Sequence, residues 1–167
     1  ASNADYRASG FTRGHLVPAR DMAWSQDALR DSFLLSNAAP QLLSLNSGLW
    51  LRIENAVRSL AAHADSVWVV TGTLFESAAP EHIGVNHVAV PTHFFKAVLA
   101  IQEDRKVMYA AIVPNQAATA RPISDFAASV DEIERRAGLD LFAFLDDEEE
   151  QILESAREIL PSRRTGR

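Results

Sequence analysis

Between residues 42 and 62 the chain repeats apolar residues at three- and four-residue steps: Leu42, Leu45, Leu49, Ile53, Val57 and Leu60. That spacing draws one apolar stripe along a 3.6-residue period, so the stretch reads as a helix that must bury one face. The partner surface follows directly. Residues 67–72, 85–91, 94–101 and 107–113 are short runs rich in Val, Ile, Phe or Tyr, bounded by turn residues, and read as strands. Residues 11–17 read as a strand running into Pro18. The apolar run 32–36 is too short for a helix and reads as another strand. Ser25 is placed to cap a short helix through Arg30. Ser129-Val130-Asp131-Glu132 is a capping box, with Gly138 where that helix should stop. Asp147 to Leu160 reads as a last helix, with acids in its first turn and Pro161 behind it. Strands gather in the middle and helices at both sides, so the expected class is α+β.

The 167 residues show no internal repeat and no Gly/Ser linker, so a single domain over 1–167 is expected. There is no cysteine, which excludes disulfide frameworks, thiolate zinc sites and cysteine nucleophiles. No apolar run approaches the roughly 20 residues of a membrane span, so no membrane partner is expected. Ala1 to Asp5 lacks the pattern of a signal peptide. A secreted or periplasmic location follows if a signal has been removed, and an organellar or cytoplasmic one otherwise. The net charge of −6 argues against a polyanionic partner until its distribution is read. Residues 140–160 carry eight acids (Asp140, Asp146, Asp147, Glu148, Glu149, Glu150, Glu154, Glu158) against Arg157 alone. Residues 1–60 carry six arginines (Arg7, Arg13, Arg20, Arg30, Arg52, Arg58) against five acids. The acidity sits in the C-terminal helix, ahead of a basic tail with Arg163, Arg164 and Arg167. A phosphate site in the first third remains open.

Beside the apolar stripe, Asn46, Trp50, Glu54 and Arg58 form a second row that begins about 40° away at 100° per residue. This row puts an amide, a carboxylate and a guanidinium at the rim of the core, while Trp50 itself belongs to the core. Upstream stand Thr12-Arg13-Gly14-His15, Pro18 and Asn37-Ala38-Ala39-Pro40-Gln41. Downstream stand Val70-Thr71-Gly72, Val90-Pro91-Thr92-His93-Phe94-Phe95-Lys96, Ile112-Val113-Pro114-Asn115, Val130 to Glu134 and Gly138-Leu139-Asp140. In this order, over residues 5–145, the set resembles the DNA/RNA non-specific endonucleases of the ββα-metal nuclease superfamily. Their signature reads D-R-G-H, a Pro, N-x-x-P-Q, and an N-x-x-x-W helix carrying a Glu. Two departures stand out: Thr12 replaces the usual Asp, and the usual upstream strand segment is absent.

The resemblance implies a ββα-metal (His-Me finger) fold, with a central, mostly antiparallel sheet flanked by helices and a motif core over 5–58. It implies a metal-dependent, sugar-non-specific endonuclease acting on DNA and RNA through the phosphate backbone and leaving 5′-phosphate ends. His15 takes the role of general base, and Asn46 that of direct ligand to Mg²⁺ or Mn²⁺. Glu54 binds the metal's waters, Arg13 and Arg58 clamp phosphate, and Asn37 shapes the site or orients the base. It also admits a homodimer and an upstream segment that completes the fold. The chemistry agrees with these assignments. A neutral histidine is the natural base near pH 7, and a hard ion that keeps most of its waters needs few protein ligands. Two other readings compete: a catalytically weak nucleic-acid-binding fragment, and a hydrolase of small phosphodiesters on the same fold. His82, His87 and His93 stand at steps that alternate faces along strands, a poor basis for a zinc cluster.

Overall fold

A computed structural model describes residues 1–117 and 120–161. The first strand, β1 (Phe11–His15), pairs antiparallel with β2 (Ala38–Leu42), with Phe11 opposite Leu42 and His15 opposite Ala38. Gly14 is required here by close approach: a Cβ at that position would lie 2.6 Å from Cβ of Gln41, the buried residue on the facing strand. The two strands are joined through α1 (Gln26–Ser32), whose N-cap Ser25 accepts from the Ala28 amide as expected. The expected strand over 32–36 does not form. Ser32 closes α1 with its hydroxyl on the Leu29 carbonyl, and Leu35–Asn37 is a 3₁₀ turn. The pairing partner for β1 lies just beyond, across Pro40-Gln41.

The helix expected over 42–62 is interrupted. It begins as α2 (Leu43–Leu45), breaks at a wide turn over Asn46–Trp50 where Gly48 leaves helical φ/ψ (−105°, −105°), and continues as α3 (Leu51–Ala61). Leu45, Leu49, Trp50, Ile53 and Val57 are all buried. Burying one large apolar side chain is worth about 1.5–3 kcal/mol. This stripe, rather than helix propensity, therefore holds the segment in place.

The surface it packs on is a four-stranded antiparallel sheet. Its edge strand β3 (Ser66–Leu74) leads into a small hairpin of β4 (His82–Ile83) and β5 (Val88–Ala89). The expected strand over 85–91 is thus reduced to two residues, because Val85–His87 makes the turn, with Gly84 and His87 at positive φ. The chain then enters β6 (His93–Gln102) and β7 (Arg105–Pro114), and the sheet ends with the short β8 (Ala127–Ala128), in the order β3-β6-β7-β8. Alternation along β6 and β7 serves two cores. Phe94, Val98, Ala111 and Val113 face α3, whereas Phe95, Ala97, Leu99, Met108, Ala110 and Ile112 face the C-terminal helices. Burial on both faces explains why these strands read as nearly unbroken apolar runs. Asn115, just after β7, ties β2 to the sheet. Its Oδ1 accepts from the Leu42 amide at 3.1 Å, and its Nδ2 donates to the carbonyls of Pro40 and Pro91.

The second core is covered by α4 (Val130–Ala137) and α5 (Asp147–Ser155). Ser129 caps α4 by accepting from the Glu132 amide, and Gly138 ends it at φ 66°. Only half of the capping box forms, since Glu132 turns its carboxylate to Arg136. The last helix stops at Ser155 instead of Leu160. Glu158 makes a parallel bridge to Tyr109, Arg157 donates to the Ala127 carbonyl, and Leu160 is buried in the α3-side core. These sheet-edge contacts outweigh another helical turn. The expected basic tail at Arg163, Arg164 and Arg167 lies outside the described residues. No helix among the described residues is long and apolar enough to cross a membrane.

Candidate active site

The ribbon of β1 and β2 borders a cleft of about 330 Å³ lined by Tyr6, Phe11, Thr12, Arg13, His15, Phe33 and Ala38. His15 is the last residue of β1 and half-buried. Its ring meets Phe33 edge-on, with centroids 5.2 Å apart, and neither ring nitrogen has a hydrogen-bond partner among the described residues. Burial, and then the Arg13 guanidinium, hold this imidazole below its usual range. It is therefore neutral at pH 7 with a free nitrogen, the state a base requires. Arg13 is exposed and, among the described residues, has one hydrogen bond, from Nη1 to Asn3 Oδ1 at 2.7 Å, which leaves the rest of its fork open.

Asn37 holds the chain that leaves His15. Its Oδ1 accepts from the Val17 amide, and its Nδ2 donates to the carbonyls of Val17 and Ser32, all within 2.9 Å. Asn37 thereby fixes the segment after β1 against the end of α1, next to Phe33.

The substituted position, Thr12, has a defined task. Its hydroxyl donates to the Gln41 carbonyl at 2.9 Å and accepts from Nδ2 of Asn46 at 3.2 Å. An amide held by its nitrogen presents its oxygen elsewhere. The half-buried Asn46 Oδ1 has no protein partner among the described residues, so the donor suits a hard cation. The kink at Gly48 separates this residue from the regular helical row of α3.

Glu54 and Arg58 form a second group on α3. Arg58 is fully engaged: Nε donates to Asp21 at 2.5 Å, Nη1 to Asn55 at 3.0 Å, and Nη2 to Glu54 at 3.3 Å. Burial raises the Glu54 carboxyl above its usual range, while Lys96 and Arg58 oppose that rise. Lys96 is 1% exposed, with Nζ 5.1 Å over the Trp50 ring and donating to Thr71 Oγ1 at 2.6 Å. Burial pushes its ammonium down to about 8, and the Glu54 carboxylate resists that change. No hydrogen bond among the described residues joins His15 to Asn46, or Asn46 to Glu54. The site is built from three groups on three elements. Sequence reasoning missed the parts of Thr12, Asp21 and Lys96. A lysine in the middle of the apolar run Phe94 to Ile101 was the available signal for Lys96.

The sequence profile of the family described as DNA/RNA non-specific endonuclease matches residues 1–148. The chain belongs to that family. It is 42% identical to mitochondrial endonuclease G of Bos taurus over 150 residues, covering 83% of this chain and 50% of that protein. It is 39% identical to nuclease C1 of Cunninghamella echinulata var. echinulata over 154 residues, covering 86% of this chain and 61% of that one. A solved structure described as the EndoG/EndoGI complex superposes with a TM-score of 0.84 at 35% identity, covering 87% of this chain and 64% of the other. The fold is therefore the α+β ββα-metal nuclease fold that the sequence led us to expect. The chain spans half to two-thirds of the length of these relatives.

Proposed function

We propose that this chain, as one nuclease domain over residues 1–167, hydrolyses the phosphodiester backbone of DNA and RNA in a metal-dependent reaction. The observation that carries the reading is the pinned Asn46 amide, held through its nitrogen by Thr12 with its oxygen unclaimed among the described residues. Asn46 would hold the ion through Oδ1, and Glu54 would accept hydrogen bonds from its waters. When bound, Mg²⁺ or Mn²⁺ supplies positive charge at the scissile phosphate and at the leaving 3′ oxygen. His15 takes the proton of the attacking water at its free ring nitrogen. Arg13, open to the cleft, binds the phosphate. Asn37 keeps the base in place through the loop it ties down. Arg58 orients Glu54, a role its ion pairs favour over direct phosphate clamping. None of these roles is a contact with a base edge, so little sequence preference follows.

The test is to incubate plasmid DNA and RNA with the protein, with Mg²⁺ and again with EDTA. Loss of both substrates only with metal, leaving 5′-phosphate and 3′-hydroxyl ends, supports the reading. Retardation without cleavage overturns it, as does turnover confined to bis-p-nitrophenyl phosphate.

A pH profile is a separate expectation. A base of lowered pKa stays neutral to lower pH, so the acid limb of kcat/KM should have its midpoint below 6.5. Arg13→Gln removes a positive charge beside His15, so it should move that midpoint upward even as it lowers the rate. A limb above 6.5, or one unmoved by Arg13→Gln, places the titrating group elsewhere.

A further inference from the structure

Away from the cleft, α4 and α5 pack against each other with acidic groups at their contact. Asp131 and Glu134 stand one turn apart on α4, and Glu150 and Glu154 one turn apart on α5. One carboxylate oxygen from each of Asp131, Glu134 and Glu154 lies within 4.8 Å of the other two. Glu154 is only 5% exposed, and its Oε1 has no hydrogen-bond partner among the described residues. Oε1 of Glu150 is likewise buried and unpartnered. Glu134 is held in place by the Leu141 amide, which donates to its Oε1 at 2.6 Å. Among the described residues no base is ion-paired with Asp131, Glu134 or Glu154. Arg136 of α4 is turned away to Glu132 and Glu76, and the groups acting on Glu154 are Glu134, which lies within hydrogen-bonding reach of it, Glu150 and Asp131.

A buried carboxylate is costly unless something of opposite charge or a proton satisfies it. Without a cation, burial and the neighbouring carboxylates push the Glu154 carboxyl up to about 8. A cation removes the same conflict by using the unpartnered oxygen as a ligand. We propose that Asp131, Glu134 and Glu154 form a second divalent-cation site that takes a hard ion of the calcium class and ties α5 to α4. The donor chemistry selects the ion. All the ligands are carboxylate oxygens, whereas zinc sites draw chiefly on nitrogen and sulfur. Carboxylates from two separate helices give the irregular, partly bidentate shell that Ca²⁺ accepts and Mg²⁺ resists. Glu150 supplies further negative charge beside the site. The inference is independent of the nuclease reading, since none of these residues lines the cleft.

The test uses the full chain, stripped with EDTA and titrated with CaCl₂ by calorimetry and by thermal unfolding. The parent should bind Ca²⁺ and melt several degrees higher with it. Glu154→Gln should weaken binding about tenfold or more and abolish the thermal shift. Asp131→Asn, at an exposed position in the first turn of α4, should also weaken it. Asn46→Ala, which removes the proposed ligand at the cleft, should leave the Glu154-dependent part of the heat and of the thermal shift in place. No heat and no shift in the parent overturns the proposal. So does binding that is unchanged in both carboxylate variants, or a Glu154-dependent signal that disappears in Asn46→Ala. If the parent ignores Ca²⁺ while Glu154→Gln melts higher, a proton occupies the cluster and the site is refuted.

Discussion

His15→Ala lowers the rate of plasmid cleavage about 10²–10⁴-fold, the usual contribution of a positioned base. The melting temperature and the retention of DNA stay close to those of the parent. The environment of the ring is the reason both halves hold. Among the described residues the imidazole has no hydrogen bond to lose, and its aromatic contact is an edge contact with Phe33. An aromatic pair of this kind is worth about 0.5–1.5 kcal/mol, a small part of a domain's stability. Arg13, the charge proposed to meet phosphate, is untouched. Single-turnover cleavage, unfolding and gel retardation measured on one preparation separate the effects. A variant that keeps the parental rate at pH 7 removes His15 from the role of base.

Asn46→Ala should cost at least about 10²-fold in metal-supported activity, since ion stabilisation is worth several kcal/mol and each 1.4 kcal/mol is tenfold. The positioning claim is tested one residue further out. Thr12→Ala frees the Asn46 amide to turn, and should cost about 10–100-fold, the range for partners that orient a ligand. Thr12→Ser keeps the hydroxyl and should restore most of the rate. The readout that distinguishes orientation from general damage is metal titration. Thr12→Ala should need more Mg²⁺ to reach half-maximal rate, with its melting temperature little changed. A Thr12→Ala enzyme with parental metal dependence contradicts the arrangement.

What could be read in the sequence followed the periodic parts of the chain. β6 and β7 announce themselves because both of their faces are buried, and α3 because its stripe spans three turns. The positions from Arg13 to Arg58 were legible as an ordered set of motifs, although Arg13-Gly14-His15 alone carries little information. The misses share one cause, which is contact between residues far apart in sequence. The run at 32–36 has strand-like composition, yet its backbone groups are taken by α1 and by Asn37, and the strand forms one segment later. The last helix gives way to Leu160 entering a core built mainly by α3, 100 residues earlier. Thr12 looked like a loss when compared with an aspartate. Only the hydrogen bond from Asn46, 34 positions away, shows that a hydroxyl suffices to hold the amide.

The wide turn over Asn46–Trp50 has a consequence for how such chains are compared and altered. An i→i+5 turn holds one residue more than an α-turn, and one residue is 100° of rotation about the axis. The turn absorbs that residue, with Gly48 outside helical φ/ψ, so Glu54 and Arg58 keep the faces they would hold in a regular helix one residue shorter. Straightening the turn with every residue kept would bring Ile53, rather than Glu54, round to face Lys96. In this segment the length of the chain is itself a determinant of the chemistry, and an alignment that closes the gap for tidiness erases it.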